Sequence, residues 1–249
     1  MPTEHIVKSF DQELEKLKRT IVQMGGLAES QLETAIQAIV RRDADLATRV
    51  VISDDRLDQY ESQIDADAVR TLALRQPMAG DLREIVAALK IASDLERIGD
   101  YAANLAKRAI ALSQVPAVRP VSAIPRMGRL VQEIIKDVLD AYTERDVQKA
   151  LDAWGRDEEV DDLYTSLFRE TLTYMMEDPR NITPCTHLLF IAKNIERIGD
   201  HATNIAETIH FLVQGQPIPG TRPKGDASSF EVVEPENAEP GSGRDPSGA

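Results

Sequence analysis

The chain of 249 residues contains little cysteine, few aromatic residues and no long apolar segment. Cys185 is the only cysteine, so an intrachain disulfide is impossible and a reducing compartment is expected. Aromatic residues make up only 4% of the sequence, whereas Ala, Leu, Ile, Glu and Arg are abundant. Because these abundant residues lose little conformational freedom in a helix, the composition favours a helical fold.

Targeting and membrane-spanning signals are also missing from the sequence. No apolar run approaches the ~18 residues that a transmembrane helix requires. Residues 1–8 lack the apolar core of a signal peptide. These observations predict a cytoplasmic protein without membrane insertion.

The sequence has fewer basic than acidic residues. Lys and Arg number 29 against 42 Asp and Glu, which gives a formal net charge of −13. A polyanion repels nucleic-acid phosphates and anionic lipid head groups, so neither is an expected partner. A glycine-rich phosphate-binding loop is also lacking. Cations and basic protein surfaces are the more plausible ligands.

The second half of the chain repeats the first. Residues 24–27 (Met-Gly-Gly-Leu) correspond to residues 127–130 (Met-Gly-Arg-Leu). The pentapeptide Glu-Arg-Ile-Gly-Asp occupies residues 96–100 and recurs identically at residues 196–200. The spacing between corresponding segments is constant apart from one short gap, which indicates duplication of a structural unit.

Each repeat contains three segments whose apolar residues recur every three or four positions, as in amphipathic helices. In the first repeat, Arg41 and Arg42 suit a helix C-terminus and Asp43 suits the N-cap of the next helix. That second helix must end near Pro77, since proline disfavours helix in the residue before it. The third segment carries an apolar seam in both repeats, formed by Ile91, Leu95, Ile98, Ala102, Leu105, Ala109 and Leu112, and by Ile191, Ile195, Ile198, Ala202, Ile205, Ile209 and Leu212.

Long amphipathic helices joined by short turns bury their apolar faces most readily in an antiparallel bundle. The sequence therefore predicts an all-α protein of two tandem three-helix bundles. Residues 1–115 form the first bundle in this prediction, residues 116–125 a proline-containing linker and residues 126–214 the second bundle. Residues 215–249, rich in Gly, Pro, Ser and Glu, are predicted to be a disordered acidic tail.

Acidic pairs spaced four residues apart are the candidate functional groups. Residues at this spacing lie on one helix face, so each pair directs two carboxylates the same way and two facing helices could assemble four. Carboxylates brought together in this way repel each other unless a cation neutralises them, and oxygen ligands suit hard cations such as iron, Mn²⁺ or Mg²⁺. The pairs are Asp54 and Asp58, Glu96 and Asp100, Asp157 and Asp161, and Glu196 and Asp200.

Helical phase predicts where these carboxylates point. Glu96 follows the seam residue Leu95 and is rotated about 100° from it around the helix axis. A metal is therefore expected at the surface or in a groove, and not in the bundle core. Gly99 and Gly199 lie beside the pairs at a helix-propensity cost of about 1 kcal/mol each relative to Ala, which suggests that a neighbouring group approaches closely.

The duplicated motif identifies a resemblance. Glu-Arg-Ile-Gly-Asp, extended as residues 100–104 (Asp-Tyr-Ala-Ala-Asn) and residues 200–204 (Asp-His-Ala-Thr-Asn), resembles the signature of the PhoU family over roughly residues 4–214. The resemblance implies a pair of three-helix bundles with surface metal clusters. Carried onto this sequence, one cluster would contain Asp54, Asp58, Glu96 and Asp100, the other Asp157, Asp161, Glu196 and Asp200, with Asn104 and Asn204 as weaker candidates.

The same resemblance implies a regulatory role. PhoU proteins restrain phosphate uptake and the phosphate-starvation response. The resemblance further implies two partners, the ATPase subunit of the phosphate ABC transporter and a sensor histidine kinase, which the regulator would link. By this resemblance, the chain is expected to be a homodimeric regulator and not an enzyme.

Two other interpretations compete with this one. A metal-free helical adaptor would use the acidic faces to dock basic surfaces of its partners. A di-iron carboxylate oxidase would need a Glu-x-x-His pair from each of two helices, whereas only Glu207 and His210 fit that pattern. The corresponding residues of the first repeat, Lys107 and Ile110, cannot bind iron, so the oxidase is disfavoured.

Overall fold

The computed structural model describes residues 2–220 and 222, with side chains from residue 10 onward. Throughout this part of the chain, the secondary structure is helical and contains no strand. The predicted all-α fold is confirmed. The eight α-helices are α1 (Pro2–Arg41), α2 (Ala44–Ser53), α3 (Asp55–Arg75), α4 (Gly80–Ser113), α5 (Ile124–Glu144), α6 (Val147–Gly155), α7 (Asp157–Glu177) and α8 (Ile182–Gln214).

The middle helix of each repeat is divided into two segments, which the apolar periodicity did not predict. The first repeat consists of α1, α2–α3 and α4, and the second of α5, α6–α7 and α8. The interruptions fall at Asp54 and at Arg156, both of which keep right-handed helical backbone angles. Each repeat therefore still folds as three helical rods; α3 begins directly after Asp54 and α7 begins at Asp157.

Local signals in the sequence account for several helix ends. The carboxylate of Asp43 accepts a hydrogen bond from the backbone N–H of Leu46 at 2.8 Å, so its predicted N-cap role is confirmed. Asp146 caps α6 in the same way. Helix α3 ends at Arg75, before Gln76 and Pro77, as the proline predicted.

The linker between the repeats and the loop between α7 and α8 each contain a short helix, although both contain proline. A short 3-10 helix (Arg119–Ala123) lies between the repeats, and another (Pro179–Asn181) lies between α7 and α8. Pro184 falls in the first turn of α8. Proline is tolerated there because the first N–H groups of a helix have no intrahelical acceptor.

The predicted apolar seams lie in the core. Every seam residue of α4 and α8 is buried, and Ile98 and Ile198 are fully inaccessible to solvent. Ile21, Met24 and Ala28 of α1 are also fully buried. The core therefore extends through both repeats as one contiguous hydrophobic cluster.

Helices α4 and α8 form the junction between the repeats and run antiparallel to each other. The Lys90 ammonium lies 5.8 Å from the ring centre of Phe211, and the Arg108 guanidinium lies 4.1 Å from that of Phe190. Between these contacts, the rings of Tyr101 and His201 are 5.7 Å apart. Tyr101 and His201 occupy equivalent positions of the two motifs, so an internal two-fold axis passes near this pair.

The two motif glycines have different surroundings. A methyl group at Gly99 would lie 2.1 Å from Leu57 Cδ1, whereas one at Gly199 would lie 3.6 Å from Val160 Cγ1. The expectation of a close approach therefore holds for Gly99 and is wrong for Gly199. Val160 is shorter than Leu57 at the equivalent position and leaves space for a methyl group.

This difference predicts opposite effects of one substitution on stability. We expect Gly99→Ala to lower the free energy of unfolding by about 1 kcal/mol, because overpacking outweighs the gain in helix propensity. Gly199→Ala should raise the free energy by roughly 0.5–1 kcal/mol, since only the propensity changes. Urea denaturation followed by circular dichroism measures both, and equal effects at the two positions would contradict the prediction.

Candidate metal centres

The first set of predicted residues forms one acidic group, here called cluster 1 (Asp54, Asp58, Glu96 and Asp100). Asp54 lies at the break between α2 and α3, and Asp58 lies one turn into α3. Helix α4, which packs against both segments, carries Glu96 and Asp100. Burial, Asp100 and Asp58 together raise the pKa of Asp54. The four carboxyl groups are therefore close enough to repel one another.

Glu96 is the most perturbed member of cluster 1. Burial, and then the charge of Asp100, raise its pKa to about 7, with smaller contributions from Glu61 and Asp58. The exposed Arg97 opposes this shift and lies 3.5 Å from a Glu96 oxygen and 3.0 Å from an Asp100 oxygen. Because a single solvent-exposed arginine screens poorly, cluster 1 retains excess negative charge.

Glu61 is a fifth acidic residue that the sequence interpretation missed. It lies on α3 three positions beyond Asp58, and its charge contributes to the raised pKa of Glu96. The pKa of Glu61 is itself raised, first by burial and then by Asp65. The spacing from Asp58 was the available signal, since residues three apart also share a helix face.

The second set forms cluster 2 (Asp157, Asp161, Glu196 and Asp200), which is more buried than predicted. Asp157 and Asp161 are only 2% and 3% exposed, and Glu196 is 6% exposed. We expected a site at the surface or in a groove, and these three carboxylates are buried and not exposed at the surface. Helix α7 begins at Asp157, where a carboxylate favourably faces the positive end of the helix dipole.

Glu196 is held by a lysine on its own helix. The Lys193 ammonium lies 2.9 Å from Glu196 Oε1 and also 4.9 Å from the ring centre of Tyr164. The other carboxylate oxygen, Oε2, is buried and lacks a hydrogen-bond donor among the described residues. Burial raises the pKa of Glu196 despite Lys193, and Asp200 and Asp161 raise it further.

Cluster 2 contains a cation from beyond the bundle, Arg222. Its guanidinium donates to both oxygens of Asp157, at 2.7 and 2.9 Å, and lies 2.9 Å from an Asp200 oxygen. It also donates to Asn204 Oδ1 at 3.3 Å. Arg222 falls in the segment predicted to be a disordered tail, and nothing in the sequence indicated this contact. The rest of that segment, residues 221 and 223–249, lies outside the described residues.

The weaker candidates differ from each other in the structure. Asn204 binds Arg222 and also donates to Asp94 Oδ1 at 3.4 Å, so it belongs to the edge of cluster 2. Asn104 makes no hydrogen bond to cluster 1 within the part of the chain that the structure describes. His201, which flanks cluster 2, has its Nδ1 2.8 Å from Asp94 Oδ1 and thereby joins α8 to α4.

The residues of the competing oxidase interpretation serve structural contacts. Glu207 accepts a hydrogen bond from the indole N–H of Trp154 at 2.9 Å. His210 Nδ1 donates to the backbone carbonyl of Gln216 at 2.9 Å. The free thiol of Cys185 is buried, which raises its pKa, and a protonated thiol is a poor nucleophile.

The donor chemistry of both clusters fits a hard cation, although the side chains do not converge on one point. Among residues 10–220 and 222, no three His, Cys, Asp or Glu side chains are arranged so that they could hold a metal ion. The donors are carboxylate oxygens, the ligands preferred by Mg²⁺, Mn²⁺ and ferric iron. Rotation of side chains in cluster 1 would be required to complete a coordination shell. In cluster 2 the Arg222 guanidinium already supplies positive charge.

Each repeat of the chain matches a known domain family. The PhoU domain family matches this chain twice, over residues 21–109 and 124–209, which are the two repeats. The chain belongs to the PhoU family. Both family matches include one complete copy of the duplicated motif, so clusters 1 and 2 are the corresponding parts of two PhoU domains.

Individual PhoU relatives are similar over nearly their whole length. A phosphate-specific transport system accessory protein PhoU homolog of Caulobacter vibrioides is 57% identical over 228 residues, which cover 91% of this chain and 99% of the relative. The crystal structure of PhoU from Pseudomonas aeruginosa has a TM-score of 0.81 and 42% identity, covering 83% of this chain and all of that one. The phosphate transport system regulatory protein PhoU from Streptococcus pneumoniae has a TM-score of 0.78 and 30% identity, with 84% and 99% coverage.

Within residues 2–220 and 222, none of the helices combines the length and the apolar character needed to cross a bilayer.

Proposed function

We propose that this chain is a non-enzymatic regulator that restrains phosphate uptake and the phosphate-starvation response. The observation that carries the proposal is the two complete PhoU domains, shared with relatives named as accessory or regulatory proteins of phosphate transport. The proposed partners are the ATPase subunit of the phosphate ABC transporter and a phosphate sensor histidine kinase. The proposed working form is a cytoplasmic homodimer.

Genetic complementation tests the regulatory role. In a bacterial strain that lacks its own PhoU, expression of this chain should lower phosphate uptake and repress a starvation reporter in phosphate-rich medium. Purified chain should bind the purified ATPase subunit and the cytoplasmic part of the kinase in a biosensor assay. Failure both to complement and to bind either partner would contradict the proposal.

Within this role, cluster 1 is the better candidate for binding a metal ion such as iron, Mn²⁺ or Mg²⁺. Its support is that the exposed Arg97 is the one close ion-pair partner of Glu96 and Asp100 among the described residues, while burial, and then the charge of Asp100, raise the pKa of Glu96 to about 7. A hard cation would supply the missing positive charge. Asp54, Asp58, Glu96 and Asp100 would hold it, with Glu61 adjacent.

We expect the double substitution Glu96→Ala and Asp100→Ala to weaken Mn²⁺ binding to this cluster at least tenfold, roughly the loss of 1.4 kcal/mol or more. Electron paramagnetic resonance of free Mn²⁺ measures the binding. A matched control is Glu29→Ala with Glu33→Ala, another acidic pair at the same helical spacing. Mn²⁺ affinity of the parent should also fall as pH drops below about 7, because protons then compete for Glu96.

The metal-free adaptor remains a second candidate because one observation favours it. The guanidinium of Arg222 occupies cluster 2, which demonstrates that these carboxylates accept a basic side chain. Under this alternative, partner binding would be insensitive to chelators but lost in the Glu96→Ala and Asp100→Ala variant. Under metal binding, chelator treatment of the parent and the double substitution should reduce partner binding alike.

A further inference from the structure

The two acidic clusters derive from equivalent positions but are neutralised differently. In cluster 1 the nearest cation is Arg97, whose side chain is 55% exposed. In cluster 2 the Arg222 side chain is only 14% exposed, and its partner Asp157 is 3% exposed. Because an ion pair removed from water is less screened, the contact in cluster 2 is the stronger of the two.

Residues 215–220, here called the segment, lead from the end of α8 back along the second repeat toward Arg222. Gly215 ends α8 with a left-handed backbone (φ 74°) and donates its N–H to the carbonyl of Phe211 at 2.8 Å. The next residue, Gln216, accepts the hydrogen bond from the buried His210. These contacts turn the chain away from the axis of α8 and fasten it to the helix.

Beyond this turn, the segment forms one wall of a cavity of about 560 Å³. Pro217, Ile218 and Gly220 line it together with Trp154 of α6 and Phe211 of α8. The segment therefore shares this cavity with apolar side chains of α6 and α8 before Arg222 reaches the carboxylates. The charge-assisted hydrogen bonds of Arg222 hold its far end in place.

The geometry at Arg222 is specific for a guanidinium. Two of its nitrogens, Nε and Nη2, donate to the two oxygens of Asp157, and the remaining nitrogen, Nη1, faces Asn204. This forked arrangement matches a planar guanidinium and not the compact ammonium of lysine. The equivalent position after the motif in the first repeat is Ser122, which has no positive charge.

We propose that residues 215–220 together with Arg222 form an intramolecular ligand of cluster 2, with the Arg222 guanidinium holding the position that a cation would otherwise take. Cluster 2 is thereby closed, whereas cluster 1 is open to an added cation. The part of this inference that concerns metal ions rests on the proposed function; the part that concerns the segment does not.

The test compares the full-length parent with Arg222→Ala and with Arg244→Ala, an arginine of the same C-terminal region. Trp154 is the only tryptophan in the chain and lines the segment's cavity, so its fluorescence reports on the segment. We expect Arg222→Ala to shift the emission of Trp154 to longer wavelength. It should also speed hydrogen exchange of residues 215–220 by about tenfold. Arg244→Ala should change neither, and Arg222→Lys should give intermediate exchange because its forked contacts are lost.

Manganese binding measured on the same proteins separates the two proposals. The number of Mn²⁺ ions bound per chain at saturation should about double in Arg222→Ala relative to the parent, because a second cluster of hard oxygen ligands becomes accessible. Unchanged fluorescence and exchange in Arg222→Ala would overturn the inference, as would filling of both clusters in the parent. If fluorescence and exchange respond as expected but neither the parent nor any variant binds Mn²⁺, two conclusions follow. The segment is a ligand of cluster 2, and the proposed Mn²⁺ binding by this chain is refuted.

Discussion

Ile98→Ala should lower the free energy of unfolding by about 3 kcal/mol, since it leaves a cavity at a fully buried position. For a chain of this size, that loss corresponds to a fall in Tm of roughly 6–12 °C. The equivalent substitution in the second repeat, Ile198→Ala, removes the same buried group and should cost a similar amount. Differential scanning calorimetry measures both changes.

The calorimetric trace should contain one transition in every variant. The core is contiguous through both repeats, and α4 and α8 pack along their length. A cavity in either repeat should therefore destabilise the whole chain. Val69→Ala is the control, because Val69 is 62% exposed and its substitution should change stability by less than about 0.5 kcal/mol. Two separate transitions, with only one moved by each substitution, would refute the single cooperative unit.

Lys193→Met should destabilise the protein by about 2 kcal/mol at pH 8, because it leaves the buried carboxylate of Glu196 without its principal partner. The exposed fraction of Lys193, 31%, keeps this cost below that of a fully buried ion pair. Methionine preserves the length of the apolar stem. Urea denaturation at a series of pH values is the measurement.

The pH dependence of this effect has a definite sign. Burial raises the pKa of Glu196 in the folded protein above its value of 4.5 in an unfolded chain, and removal of Lys193 raises it further. The folded variant therefore binds a proton more readily than the unfolded variant, and its stability falls as pH rises through the raised pKa. The difference between parent and variant should shrink at acidic pH, where Glu196 is neutral.

Two further variants isolate the ion pair. Lys90→Met removes an ammonium that contacts the ring of Phe211, and it should cost less than about 1 kcal/mol with little pH dependence. Adding Glu196→Gln to Lys193→Met should recover most of the lost stability at pH 8, because an uncharged amide then replaces the carboxylate that had lost its partner. A cost of Lys193→Met that is the same at pH 5 and pH 8 would contradict the assignment.

The repeated helical fold could be predicted from the sequence because its signals are periodic. The seam on α4 recurs on α8, and a helix that buries one stripe has few packing alternatives. The cap at Asp43 and the stop at Pro77 could also be predicted, because both depend on chemistry within a few residues. The breaks at Asp54 and Arg156 coincide with weak helix formers, Ser53 and Gly155, but a single such residue is tolerated within many helices and does not by itself predict a break.

The acidic residues of the clusters could be named from spacing alone, but not their burial. Helical phase gives the direction of Asp161 or Glu196 relative to its own helix axis only. Whether another segment covers that face depends on residues distant in sequence, and Arg222 lies 65 positions from Asp157. For the same reason, the different roles of Gly99 and Gly199 became visible only when Leu57 and Val160 were placed beside them.

The internal two-fold axis near Tyr101 and His201 has an evolutionary consequence. In a symmetric dimer of identical single-repeat chains, every substitution would alter both acidic clusters at once. Fusion of the two repeats into one chain removes that constraint, because each copy then mutates independently. Only in the fused chain can one cluster remain open while the other holds Arg222.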